Sequence, residues 1–189
     1  MELIITDKTF EKQDFKTSLL KKGEYENCIF RNSDLSTMDL SGYIFVDCVF
    51  IDCNLSLVKL DKTVLRDIAF TGCKMMGLRF KDCNAFGLSV KFEQCILDQS
   101  SFYQTNLKKT VFKNSQLKES DLAECDLTGA IFENCDLQGA IFENTVLERA
   151  DLRTAYNYSF DPDINKIKKA MFSSSGLYGL LGKYGIEVD

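Results

Sequence analysis

The sequence predicts an all-β fold, a four-sided parallel β-helix closed at its C-terminal end by a short helical cap. Three observations lead to this fold class: a large apolar residue at every fifth position, a smaller residue two positions before each of them, and residue types that recur every twenty positions. A five-residue period fits neither an α-helix nor an extended strand, whose side chains repeat about every 3.6 and 2 residues.

The five-residue period runs through most of the chain. A first series has fifteen large apolar residues out of fifteen, a second has thirteen out of thirteen, and the phase shifts by two residues between them. The first series is Phe10, Phe15, Leu20, Tyr25, Phe30, Leu35, Leu40, Phe45, Phe50, Leu55, Leu60, Leu65, Phe70, Met75 and Phe80; the second is Phe92, Leu97, Phe102, Leu107, Phe112, Leu117, Leu122, Leu127, Phe132, Leu137, Phe142, Leu147 and Leu152. Such regularity does not arise by chance in a chain that is 45% hydrophobic.

This spacing is explained if each five-residue unit forms one short side of a four-sided coil. The central and the small residue then point inward, the other three face water, and four units close one coil that stacks on the next at about 4.8 Å. Residues twenty apart should therefore lie above one another. They form a column of seven phenylalanines that crosses the phase shift, which indicates one continuous solenoid: Phe10, Phe30, Phe50, Phe70, Phe92, Phe112 and Phe132.

The phase shift lies within residues 81–91, and its two extra residues are expected near Phe86 and Gly87, where glycine can take a positive φ. The segment is either a bulge absorbed in the wall, which we favour, or a contact loop. The predicted organisation is a β-helix over residues 1–153, followed by a C-terminal cap and dimerisation segment over residues 154–189.

Eight cysteines occupy the small inward position: Cys28, Cys48, Cys53, Cys73, Cys83, Cys95, Cys125 and Cys135. The functional alternatives are a metal site and a ladder of disulfides. A straight row of sulfurs on one wall cannot surround a tetrahedral ion, and in-register parallel side chains hold their Cβ atoms too far apart for a disulfide. Packing as small hydrophobic residues is favoured, which also fits a reducing compartment.

The C-terminal segment predicts the cap. In Asp161-Pro162-Asp163, the first residue suits an N-cap and the proline suits the first helical position. Apolar residues follow at helical spacing: Ile164, Ile167, Ala170 and Met171. A cap protects the open edge of the last coil, and its outer apolar face is predicted to form a twofold dimer. The residues assigned to that interface are Leu177, Leu180, Leu181 and Ile186.

Composition argues against an enzyme. The 189 residues suit a single domain and include no histidine, so the commonest general base and metal ligand is missing. No nucleophile elbow, phosphate-binding loop or metal motif is present, so no catalytic residue, cofactor, metal or small-molecule substrate is expected. No apolar run reaches the length of a membrane span, and Leu3-Ile4-Ile5 is too short for a signal-peptide core, so a cytoplasmic protein is expected.

The repeats from Lys8 to Arg153 resemble the pentapeptide-repeat family, whose members fold as right-handed quadrilateral β-helices. The run from Asp161 to Val188 resembles the C-terminal region of Qnr-type quinolone-resistance proteins and of the related microcin immunity proteins. This second resemblance implies a rod-shaped homodimer, joined through its C-terminal ends, that acts on a type II topoisomerase, either DNA gyrase or topoisomerase IV.

The net charge of −5 is unevenly distributed. Residues 119–151 contain a single base, Arg149, and nine acids at outward positions: Glu119, Asp121, Glu124, Asp126, Glu133, Asp136, Glu143, Glu148 and Asp151. An acidic rod with duplex-like dimensions could occupy a DNA-binding groove lined by lysine and arginine.

The predicted function is therefore a DNA-mimic-like binding protein that protects a topoisomerase from fluoroquinolones or another poison, without contacting nucleic acid directly. Two alternatives stay open. The acids are simply a solvated surface, or the solenoid is a scaffold for a different protein partner.

Overall fold

The computed structural model describes residues 3–15 and 17–186, which form a parallel β-solenoid of about eight turns. The strands are short, because each unit of five residues must also turn a corner. They are β1 Ile4–Thr6, β2 Thr9–Glu11, β3 Glu24–Glu26, β4 Ile29–Arg31, β5 Ile44–Val46, β6 Val49–Ile51, β7 Val64–Arg66, β8 Ile68–Thr71, β9 Val90–Glu93, β10 Val111–Lys113, β11 Ile131–Glu133, β12 Asp151–Leu152 and β13 Met171–Phe172. One α-helix, α1, spans Tyr178–Leu181, and 3₁₀ turns cover Phe80–Asp82, Ser175–Leu177 and Gly182–Tyr184.

All strand pairs are parallel and belong to two sheets within the described residues. One sheet has the order β2-β4-β6-β8-β9-β10-β11-β12-β13, and the other has the order β1-β3-β5-β7. The register places residues twenty apart side by side, as in Phe30 with Phe50 and Phe112 with Phe132. The predicted twenty-residue coil is confirmed.

We name the four sides of the solenoid by their central columns. The first side holds the phenylalanine column and the longer sheet, and the fourth holds β1, β3, β5 and β7. The second and third sides pair through single bridges, such as Asn54 with Lys74 and Asp121 with Ile141. Above the phase shift, the central residues of the second side are Leu97, Leu117 and Leu137, those of the third are Phe102, Leu122 and Phe142, and those of the fourth are Leu107, Leu127 and Leu147.

The predicted phenylalanine column exists as a continuous stack of rings. Neighbouring ring centroids in the column are between 4.6 and 5.5 Å apart along its whole length. Phe112 is fully buried between Phe92 and Phe132. The spacing follows the coil-to-coil distance of about 4.8 Å, so each ring contributes both apolar burial and an offset aromatic contact.

The corners explain why so many polar residues accompany each apolar centre. The residue two positions after the centre takes a left-handed conformation, as Asn134 does at φ 51° and Gly129 at φ 68°. Asparagine and glycine tolerate this region well. The turn then closes with a backbone hydrogen bond, for example from the Thr105 N–H to the Phe102 carbonyl at 2.9 Å.

The phase shift lies where the sequence places it. The Asn84 N–H still donates to the Thr63 carbonyl, twenty-one residues away. The equivalent bond one coil below, from the Val64 N–H to the Tyr43 carbonyl, has the same separation. Val90 already pairs with Ile68, twenty-two residues away. The two extra residues therefore fall between Asn84 and Val90.

All eight cysteines are free and buried, which confirms their inward position. Five of the thiols donate to backbone carbonyls of the coil below, as Cys48 does to Tyr25 at 3.2 Å. Desolvation raises the pKa of Cys125 to about 11 and that of Cys83 to about 12. These thiols therefore stay protonated and pack as small hydrophobic groups.

The helix predicted from Asp161 onward is wrong, and the boundary at residue 153 is too early. Strand β13 pairs with β12, and Lys166 pairs with Val146, so residues up to Phe172 form a further coil. The Asn165 side chain fixes this coil, because it accepts the Thr145 N–H at 2.8 Å and donates to the Phe142 carbonyl at 2.8 Å. Tertiary pairing therefore overrides the local helix-start signal.

The cap is shorter than predicted and consists of α1 with its two flanking 3₁₀ turns. It docks through glycines, because a Cβ on Gly179 would lie 2.0 Å from the Tyr158 carbonyl oxygen and one on Gly176 would lie 1.9 Å from the Tyr158 hydroxyl. The Phe160 N–H donates to the Gly179 carbonyl at 3.0 Å. This close contact places the cap over the last coil.

Candidate functional site

The nine acids of residues 119–151 lie on all four sides, and neighbouring cations pair with three of them. Asp126 on the fourth side pairs with Lys108 at 3.0 Å, and Asp151 on the first side pairs with Arg153 at 2.7 Å. Glu133 on the first side and Glu148 on the fourth have no ion pair among the described residues. The count of acids therefore overstates how acidic these sides are.

Asp136 departs from its predicted outward position. Only 7% of it is exposed, on the second side. Its carboxylate accepts the Asn157 amide at 2.8 Å and lies 3.3 Å from the Lys118 ammonium. Burial alone would raise the pKa of Asp136, but the hydrogen bonds from Asn157 and from the Gln138 N–H, together with Lys118, outweigh burial and lower it. Asp136 is therefore a structural carboxylate between coils and is unavailable to a partner.

On the third side, three carboxylates form no ion pair among the described residues. Its units at residues 100–104, 120–124 and 140–144 contain three carboxylates, Asp121, Glu124 and Glu143, and no lysine or arginine. Glu124 and Glu143 are exposed, and Asp121 is half-buried. Glu119 stands at the corner between the second and third sides, where its carboxylate accepts the Gln99 amide at 2.9 Å.

Two residues of the coil below hold Glu124 in place. Its carboxylate accepts the Gln104 amide at 2.7 Å and the Tyr103 hydroxyl at 3.0 Å. These hydrogen bonds hold the pKa of Glu124 below its usual value. The ammonium of Lys81 lies 5.6 Å from the centre of the Tyr103 ring. The charge of Glu124 is thus presented at a fixed position on the rod.

The acidic side continues into the last coil, where the cap meets it. Asp161 and Asp163 both form ion pairs with Lys183 of the cap. Sequence reasoning did not include Tyr103, Gln104 or Lys183 in the site. The sequence does predict the contact between Gln104 and Glu124, because residues twenty apart lie above one another in this fold.

The four proposed dimer residues are not all exposed. Leu180 is only 7% exposed and belongs to the hydrophobic core, so its assignment to an outer face is wrong: the turn of α1 that follows Gly179 directs it toward the last coil. Leu177 is 45% exposed, Ile186 is 55% exposed, and Leu181 is half-buried. Tyr178 and Tyr184 extend the exposed apolar surface of the cap.

Phe86 and Gly87 form the tip of the bulge. Phe86 is 83% exposed, and Gly87 has a φ of 78°. A Cβ at Gly87 would lie 3.3 Å from Nε of Arg66, so a glycine lets the loop lie close to that guanidinium.

Two functional features, a metal site and a membrane-spanning helix, are not found in residues 3–15 and 17–186. These residues contain no group of three or more side chains suited to hold a metal ion and no helix that could cross a bilayer.

The chain was compared with known proteins. No curated protein matches its sequence. Among solved structures, QnrB1, described as a plasmid-mediated fluoroquinolone resistance protein, is 20% identical over 100% of this chain and 98% of its own, with a TM-score of 0.48. HetL, a protein involved in heterocyst differentiation regulation from Nostoc sp. strain PCC 7120, is 16% identical over 91% of this chain and 85% of its own, with a TM-score of 0.47.

Two family models match the repeats directly. Pentapeptide repeats in eight copies match residues 28–67, and the pentapeptide repeat region matches residues 88–155. Together these matches cover more than half of the chain, and the gap between them, residues 68–87, includes the tip of the bulge. With its five-residue period, twenty-residue coil and stacked phenylalanine column, the chain belongs to the pentapeptide-repeat proteins.

Proposed function

We propose that the protein is a non-catalytic binding protein whose acidic third side occupies a DNA-binding groove of a type II topoisomerase, either DNA gyrase or topoisomerase IV. The observation that supports this proposal is that Asp121, Glu124 and Glu143 form no ion pair among the described residues, and that their units contain no lysine or arginine. A groove that binds DNA presents lysine and arginine, and its attraction to a polyanion is largely electrostatic.

The geometry of the rod supports the same proposal. Backbone pairing holds the coil of Asp121 and Glu124 about 4.8 Å from the next coil, which carries Glu143, so the backbone positions of the three carboxylates are fixed relative to one another. Fixed charges lose little conformational entropy when a partner binds, which favours affinity. The choice of a topoisomerase rests on the resemblance of the Asp161–Val188 sequence to Qnr-type and microcin immunity proteins. Protection against a fluoroquinolone is the outcome that this resemblance implies.

The proposal includes a cytoplasmic homodimer joined through the cap. Leu177, Tyr178, Tyr184 and Ile186 expose apolar surface there, with Leu181 half-buried beside them. A contiguous apolar patch on a protein surface often marks an interface. Two rods joined at this end would present their third sides on either side of the molecular centre.

A supercoiling assay with purified gyrase, with and without a fluoroquinolone, tests the proposal. The wild-type protein should restore supercoiling in the presence of the drug. The double variant E124Q/E143Q should lose most of this effect, because it removes two of the three carboxylates of the third side. The matched control E133Q/E148Q removes the same charge from the first and fourth sides and should keep the effect.

Equal losses in the two double variants would contradict a role for the third side. A wild-type protein that leaves both gyrase and topoisomerase IV unaffected at high micromolar concentration would favour the scaffold alternative. Topoisomerase IV is tested with the same variants in a decatenation assay.

A further inference from the structure

The fourth side of the C-terminal coils has the opposite charge to the third. Its units at residues 105–109, 125–129, 145–149 and 165–169 contain six cations and two carboxylates. The cations are Lys108, Lys109, Arg149, Lys166, Lys168 and Lys169, and all of them are exposed. The carboxylates are Asp126, which already pairs with Lys108, and Glu148, which is half-buried.

Five of these cations have no ion pair among the described residues: Lys109, Arg149, Lys166, Lys168 and Lys169. Three of them stand in one corner column, because Lys109, Arg149 and Lys169 are separated by multiples of twenty residues. Lys166 pairs with Val146 in the parallel register, and the Arg149 N–H donates to the Lys168 carbonyl at 3.0 Å. The cations therefore sit on paired backbone, where their relative positions are held.

We infer that this side binds the phosphate backbone of nucleic acid. From Lys109 to Lys169 the rod rises three coils, or about 14 Å at a step of about 4.8 Å. One strand of duplex DNA presents a phosphate about every 3.4 Å along its axis, so this length faces about four phosphates. Five unpaired cations over the same length match that charge. The side has no exposed aromatic ring in these units, so the contact is with the backbone and is independent of base sequence.

The acidic third side does not cancel this attraction. At physiological ionic strength the screening length is about 8 Å, so charges on adjacent sides act largely independently on a partner that touches one of them. This inference departs from the expectation that the protein does not contact nucleic acid directly. One side of it carries a local positive charge that the net charge of −5 conceals.

The experiment measures anisotropy of a labelled duplex of about twenty base pairs, without any topoisomerase, between about 50 and 200 mM salt. Binding in the micromolar range is expected at the lower salt. For about four phosphate contacts, affinity should fall roughly a hundredfold across this range. The absence of a topoisomerase keeps this result separate from the proposed function, which uses the third side.

A matched pair of variants tests the location. K166Q/K169Q removes two cations from the fourth side, and K59Q/K62Q removes two from the lower coils at the same repeat positions, with Lys62 and Lys169 at similar φ values of 58° and 62°. The first variant should weaken binding and reduce the salt slope by about two, whereas the second should change neither. Thermal melting shows that both variants are folded.

Three outcomes would overturn the inference. One is no detectable binding of the duplex at 50 mM salt. Another is an equal loss of affinity in K59Q/K62Q, which would assign the binding to total charge. The third is salt-sensitive self-association that K166Q/K169Q abolishes while DNA does not bind, which would make a second copy of the chain the occupant of this side.

Discussion

Phe112 and Phe132 stack with their ring centroids 4.9 Å apart and their planes within 2° of parallel. The two residues are twenty positions apart, and their strands pair in register, so the contact reports the pitch of the solenoid directly. Because the same stack continues from Phe10 to Phe132, the interior of the rod depends on side chains of equal size at equal heights.

Removal of one ring from this stack should be costly. Phe112→Ala leaves a cavity between Phe92 and Phe132, and the free energy of unfolding should fall by about 3–5 kcal/mol. Chemical denaturation measures this change. Phe86→Ala is the control, because that ring is 83% exposed and its loss should change the free energy by less than about 0.5 kcal/mol. Similar small effects in both variants would contradict a packed column.

The eight buried thiols should be unreactive in the native protein. Burial holds the pKa of Cys48 and Cys125 at about 11 and that of Cys135 at about 12, so almost no thiolate forms at these positions at neutral pH. Hydrogen bonding with Cys73 lowers the pKa of Cys53 and of Cys95, but both side chains are buried, so a thiol reagent does not reach them. Thiol titration with and without denaturant should count none reacting fast when folded and all eight when unfolded. More than two fast-reacting thiols in the native protein would be incompatible with the inward positions.

Asp136 should make stability depend on acid pH. Its folded-state pKa lies below the unfolded value of about 3.9, so the ionised carboxylate stabilises the fold above about pH 4. This contribution is lost as the pH falls through the folded-state pKa. D136N should unfold more easily at pH 7, by about 1–3 kcal/mol, and should show a shallower loss of stability below pH 4. E143Q, which changes an exposed carboxylate, should follow the wild type in the same denaturation series.

The cap should control the oligomeric state. Leu181→Asp places a charge within the proposed apolar interface and should yield a folded monomer by light scattering. Leu57→Asp, at a residue 62% exposed on a lower coil, should leave the mass unchanged. Added salt should tighten the wild-type dimer, because it screens the repulsion between the two acidic segments. A wild-type protein that stays monomeric at high concentration would rule out this interface.

The sequence alone determined the repetitive part of this protein. The five-residue period, the phenylalanine column, the inward cysteines and the location of the phase shift all follow from residue spacing, and the structure confirms each of them. Spacing succeeds because every coil repeats the same local geometry, so that contact between coils is encoded at a constant separation of twenty residues. Even β13, which sequence reasoning missed, keeps this register through Phe172.

Only the tertiary structure decided the C-terminal segment and the polarity of the sides. Asp161-Pro162-Asp163 carries a local helix-start signal, but pairing with the preceding coil satisfies more backbone groups and wins. Asp136 is buried because Asn157 and Lys118 meet it from other coils, and Leu180 is buried because the cap folds back on Tyr158. The net charge of each side depends in the same way on contacts between coils, because these decide which acids are paired with a lysine or arginine, as Asp126 is with Lys108. These are contacts between distant residues, and a local pattern does not specify them.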